Sequence, residues 1–125
     1  MTSQPALVLV VDDAEDTRVV YAEFLRFRGY RVEEACDGKE ALEKILELNP
    51  DLVILDVSLP YIDGCEATRR LKADPRTQGI PILVLTGRVH PGARDSALAA
   101  GADAFVSKPC LPDDLMVRIE KLLKK

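Results

Sequence analysis

Val8-Leu9-Val10-Val11-Asp12-Asp13 opens on consecutive apolar residues and ends on two acids. A strand with one wet face alternates apolar and polar residues, so an unbroken run suits a strand covered on both faces, as in a parallel sheet. Two further runs of the same kind follow, Leu52-Val53-Ile54-Leu55 and Ile82-Leu83-Val84-Leu85, and Ala104-Phe105-Val106 is a shorter one. Tyr30-Arg31-Val32-Glu33 alternates instead, which suits an edge strand.

Helical patterns fill the intervals. Val20, Phe24 and Phe27 fall at i, i+4 and i+7, with Gly29 as the stop. Ala41, Ile45 and Leu48, flanked by Leu42 and Leu46, form a second stripe that ends before Pro50. Ala67 and Leu71 mark a third, closed by Pro75; Ala93 to Ala100 is alanine-rich with a weak stripe; Leu115, Ile119 and Leu122 mark the last. Strand and helix alternate throughout, which predicts an α/β fold with helices on both faces of a parallel sheet. The expected arrangement is the flavodoxin-like (βα)5, doubly wound, in strand order 2-1-3-4-5, with the alternating second strand at an edge. Ligands in such sheets sit beyond the carboxyl ends of the strands, where strands 1 and 3 meet.

The chain has 125 residues, the length of one domain, and reads as a single unit over 1–125. Seventeen Lys and Arg against 21 Asp and Glu leave a net charge of -4, which argues against direct nucleic-acid binding through a basic face. The apolar run before Asp12 has no basic flank and is too short for a membrane span or a signal peptide. Cys36, Cys65 and Cys110 are odd in number and far apart, as expected of reduced thiols in a cytoplasmic protein.

With that strand order, Asp12, Asp13 and Asp56 converge at one end of two central strands. Asp13 also reads as the N-cap of the first helix, with Asp16 as partner in a capping box, but that leaves Asp56 unexplained. Three clustered carboxylates repel one another, and a hard cation such as Mg²⁺ removes the penalty. Thr86 and Lys108 fall at the same sheet end. A hydroxyl, an ammonium and a metal around one carboxylate are what a phosphoryl group requires. No glycine-rich nucleotide loop follows strand 1.

These motifs resemble the receiver domain of two-component response regulators, of the chemotaxis-regulator type. The residues carrying the resemblance are Val10-Val11-Asp12-Asp13, the segment from Asp56 to Gly64, Leu85-Thr86-Gly87, and the segment from Gly101 to Pro109. The resemblance implies that Asp56 is the phosphoacceptor, taking its phosphoryl group from the phosphohistidine of a sensor histidine kinase or phosphotransfer protein. It implies Mg²⁺ held by Asp13, Asp56 and the Ser58 carbonyl, with Asp12 acting mostly through water. Lys108 would pair with Asp56 at rest. Thr86 would move toward the phosphoryl group and Phe105 would follow it inward, altering the face of the fourth helix, fifth strand and fifth helix.

Such a protein is a switch rather than an enzyme, catalysing only the formation and loss of its own acyl phosphate. Its output is a downstream protein target, an output domain beyond Lys125 in a longer chain, or a phosphorylation-dependent homodimer. The resemblance and the sharp turn after strand 5 imply a cis Lys108–Pro109 bond. Gly87 stands where alanine is usual, Phe105 where tyrosine is common, and Ser58 and Arg88 where the phosphoryl lifetime is tuned. An aspartyl-phosphate-type phosphatase or hydrolase, the main alternative, would need a D-x-D arrangement, whereas Asp12 is followed by Asp13 and Ala14.

Overall fold

The strands are β1 (Leu7–Val11), β2 (Arg31–Ala35), β3 (Leu52–Leu55), β4 (Ile82–Thr86) and β5 (Ala104–Ser107). They form one parallel sheet in the order β2-β1-β3-β4-β5, the doubly wound arrangement expected, with β2 at an edge. The helices are α1 (Glu15–Phe27), α2 (Gly38–Leu48), α3 (Gly64–Ala73), α4 (Ala93–Ala99) and α5 (Pro112–Leu123). This computed structural model describes residues 5–57, 59, 61–87, 91–108 and 110–123.

The unbroken apolar runs sort by the two-residue period of a strand. Leu9, Val11, Val53, Leu55, Ile82 and Val84 face one way and pack on Ala41 and Ile45 of α2, Ala67 and Leu71 of α3, and Ala93 and Ala97 of α4. Val8, Val10, Leu52, Ile54, Leu83 and Leu85 face the other way, onto Ala22 and Leu25 of α1 and Leu115, Met116 and Ile119 of α5. In β1, β3 and β4 polar residues are therefore confined to the strand ends, which places a charged site of the central strands there. Among the described residues no helix is long and apolar enough to cross a membrane, and the three cysteines are free.

One helix face differs from expectation. Val20 and Phe27 point outward, at 62% and 85% exposure, while Ala22 and Leu25 are buried with Tyr21 and Phe24 half-buried beside them. α1 carries apolar side chains nearly all round, so the helical period fits two phases. The small Ala22 side chain lets the helix lie close on the sheet. The stop is as expected: Gly29 adopts φ 98, and the Tyr30 N–H returns to the Leu25 carbonyl.

Candidate active site

β1 and β3 are paired in register, Val11 opposite Leu55, so the next residues on each chain leave the sheet side by side. The Asp56 N–H bonds to the Val11 carbonyl at 3.1 Å, and the Asp12 N–H to the Ala35 carbonyl at 3.1 Å. Asp12 and Asp56 are buried at 4% and 9% exposure, and Asp13 is exposed. Carboxylate oxygens of all three lie within 4.8 Å of one another. The sequence expectation that these acids converge is met.

Lys108 reaches this cluster from the end of β5, where its N–H extends the ladder to the Thr86 carbonyl at 2.8 Å. Its Nζ stands 2.6 Å from Asp12 Oδ2 and 3.5 Å from Asp56 Oδ2. The expected pair with Asp56 is present, and Asp12 stands closer still. An ammonium among crowded carboxylates gains most by touching two of them, and it makes its short contact with the more buried one. Burial pulls the Lys108 pKa down, but the Asp12 and Asp56 carboxylates outweigh it and the net shift is upward.

Asp13 does not cap α1. The N-cap is Ala14, with no side-chain cap bond, and Asp12 Oδ1 instead accepts the Ala14 N–H at 2.9 Å. Both Asp12 oxygens are therefore engaged. The Asp13 carboxylate has no hydrogen bond or ion pair among the described residues. A donor set of carboxylate oxygens, without histidine or thiolate, fits a hard divalent cation such as Mg²⁺. A second cluster, Cys36, Asp37 and Glu40, is accounted for by the cap of α2: Asp37 accepts the Glu40 N–H, and Glu40 accepts the Cys36 N–H.

Thr86 is fully buried at the end of β4. It shares a sheet face with Val84, which lies opposite Phe105. The Phe105 ring is already inside, 8% exposed and packed in the same cluster as Ala97 and Ala102. An inward movement of this ring on phosphorylation would start from a buried position. Ser58, Arg88 and Pro109, and with Pro109 the expected cis bond, lie outside the described residues.

Two positioning features come from the packing. Asp63 is the N-cap of α3, accepting the Glu66 N–H at 2.9 Å, and a Cβ on Gly64 would stand 2.2 Å from the Asp56 carbonyl oxygen. α3 thus begins directly against the backbone of the central acid. The second is Arg18, whose guanidinium donates to the Asp12 carbonyl at 3.0 Å. An arginine one turn into a helix that follows two acids was the available signal.

The sequence model of the response regulator receiver domain matches residues 8–120. Response regulator MprA of Mycolicibacterium vanbaalenii is 42% identical over 121 residues, covering 97% of this chain and 52% of its own. The chain thus spans about half the length of that curated relative. The chemotaxis response regulator CheY4 of Vibrio cholerae superposes with a TM-score of 0.89 at 33% identity, over 96% of this chain and 100% of its own. The receiver domain of the sensor histidine kinase PA1611 from Pseudomonas aeruginosa, solved with a magnesium ion in its active-site cleft, gives 0.90 at 29% identity, over 97% and 99%. This chain belongs to the response regulator receiver domain family, and its function is that of a receiver in phosphorelay signalling.

Proposed function

We propose that Asp56 is the phosphoacceptor of this receiver, and that residues 1–125 act as one receiver unit. The observation carrying this is a buried carboxylate at the switch point of the sheet, within 4.8 Å of two further acids and 3.5 Å from a lysine. An Asp56 carboxylate oxygen attacks phosphorus. The new O–P bond forms as the N–P bond of the donor phosphohistidine breaks, and the imidazole of the sensor kinase or phosphotransfer protein leaves with the electron pair.

Mg²⁺, when bound, neutralises the phosphoryl oxygens and the crowded acids. Asp13 and Asp56 would hold it directly, with the Ser58 carbonyl. Asp12, whose oxygens already serve Ala14 and Lys108, would act through water. Lys108 turns its ammonium to the phosphoryl oxygens and keeps its proton, and the Thr86 hydroxyl donates to the same group. The rearrangement is read at α4, β5 and α5 by a downstream protein, an output domain or a second copy of this chain. The protein works in the cytoplasm as a switch, catalysing only the making and breaking of its own acyl phosphate.

Incubation with acetyl phosphate and Mg²⁺ should add a single phosphoryl group, seen by intact mass, and Asp56→Asn should abolish it. Undiminished labelling of Asp56→Asn would overturn the assignment. Amide shift changes on phosphorylation should reach α4, β5 and α5; changes confined to α1 and α2 would contradict that output face.

A further inference from the structure

Arg18 lies in the first turn of α1, and its side chain runs back toward the amino end of the helix, as helical side chains do. The guanidinium divides its donors. Nη1 bonds the Asp12 carbonyl at 3.0 Å and Nε bonds Glu34 Oε1 at 3.0 Å, with only 16% of the side chain exposed. Glu34, on the edge strand β2, is itself anchored. Its other oxygen accepts from Arg26 Nη2 at 3.3 Å, and its carbonyl accepts from Lys44 Nζ at 2.5 Å.

The Asp12 carbonyl is not part of the ladder of α1, whose first bond runs from the Arg18 N–H to the Ala14 carbonyl. It belongs to the peptide joining Asp12 to Asp13. That peptide is planar, so holding its oxygen holds the whole plane, including the Asp13 N–Cα bond that carries the side chain. The Asp13 carboxylate has no contact of its own to aim it among the described residues.

We infer that Arg18, braced by Glu34, is a positioning residue for the metal site: it fixes the Asp12–Asp13 peptide and through it the aim of the Asp13 carboxylate. The inference rests on the reading of this site as an Mg²⁺-dependent phosphoacceptor. Charge and position act in opposite directions here. Removing a guanidinium beside three acids should by Coulomb attraction alone tighten Mg²⁺ binding, whereas releasing the peptide should weaken it.

The test is a Mg²⁺ titration of the full chain followed by amide NMR shifts, with urea unfolding run in parallel. Arg18→Met should weaken Mg²⁺ binding about tenfold, the low end for residues standing behind metal ligands. Arg18→Lys should lie between, because one ammonium cannot hold a carboxylate and a carbonyl in a fixed plane. Glu34→Gln should lose affinity in the same direction, and less than Arg18→Met. Lys72→Met, at the opposite end of the sheet, should lose stability while keeping its Mg²⁺ affinity, separating positioning from general loosening. Unchanged or tighter Mg²⁺ binding in Arg18→Met would overturn the inference. Should that variant fail to fold, unchanged affinity in both Arg18→Lys and Glu34→Gln would do so. A wild type that binds no Mg²⁺, or an Asp13→Asn variant that binds it equally well, would instead overturn the reading of the site itself.

Discussion

At the amino end of the sheet, Lys72 reaches out of α3 and gives its ammonium to the Gln78 carbonyl at 3.2 Å, the Ile80 carbonyl at 2.9 Å and Asp103 Oδ2 at 3.0 Å. At the carboxyl end, Lys108 stands between Asp12 and Asp56 at 2.6 and 3.5 Å. Their side chains are 19% and 18% exposed, so burial does not tell them apart. The acceptors do. Three donors on three fixed acceptors, two of them backbone carbonyls, make a clamp, and Asp103 is pinned further by the Ile82 N–H at 2.8 Å. An ammonium shared unequally by two carboxylates can change partners when one of them gains a phosphoryl group. A lysine becomes a switch element through what it is bonded to, not through how deeply it sits.

The largest expected effect falls at the carboxyl end, on its backbone. Gly64→Ala would drive a methyl into the Asp56 carbonyl, where nothing flexible can yield. It should cost about 3 kcal/mol in urea unfolding and slow phosphorylation as well. An unchanged unfolding midpoint would disprove the close approach. Lys72→Met comes next. It should cost about 2 kcal/mol, because charged hydrogen bonds are lost, while the initial rate of labelling by acetyl phosphate stays as in the wild type. A slowed rate would break the division between the two ends.

Lys108→Met should cost less, about 1 kcal/mol at neutral pH, since Asp12 keeps the Ala14 N–H and Asp56 keeps an interaction of its own. Added Mg²⁺ should restore that loss, but not the loss in Lys72→Met. The phosphorylation-dependent shifts at α4 and β5 should disappear. The pH dependence gives a second check. The folded-state pKa of Lys108 is raised, so its contribution is complete below the unfolded lysine value of about 10.4 and fades as pH rises through the higher folded value. Stability curves of the wild type and Lys108→Met should therefore run parallel from neutral pH to about pH 10 and approach each other above it. Convergence already near neutral pH would contradict the pairing.

The smallest effect is expected at Gly87. Its φ is not positive, and an added Cβ would meet the Lys108 stem at 3.7 Å, an ordinary contact. Gly87→Ala should gain about 0.5 kcal/mol by restricting the unfolded chain. A loss would mean that the loop after β4 needs glycine's freedom. Two glycines beside one site thus bracket the range, one excluded by backbone and one merely permissive.

The apolar runs that make the strands were legible because a doubly covered strand must be apolar throughout. The acids at their ends were legible because charge tolerates no other place in a strand covered on both faces. The phase of α1 was not, since Val20 and Phe27 satisfy the same period as the buried face. Nor was the closer contact of Lys108 with Asp12, because spacing along the chain brings a lysine to a cluster of acids without ranking them. Gly64 and Arg18 escaped for a related reason: each acts on the backbone of an acid, through a close approach in one case and a carbonyl in the other. Side-chain chemistry announces itself in a sequence, whereas support for a peptide plane becomes visible only when the elements are packed.

Of the three acids within 4.8 Å of one another, we propose that Asp56 alone takes the phosphoryl group. Borohydride reduction of the acetyl-phosphate-treated protein converts an aspartyl phosphate to homoserine, and peptide sequencing by mass spectrometry then reads the position directly. Homoserine is expected at residue 56, with unaltered aspartate at 12 and 13. Homoserine at either of those, or at none of the three despite a phosphoryl mass gain, would contradict it.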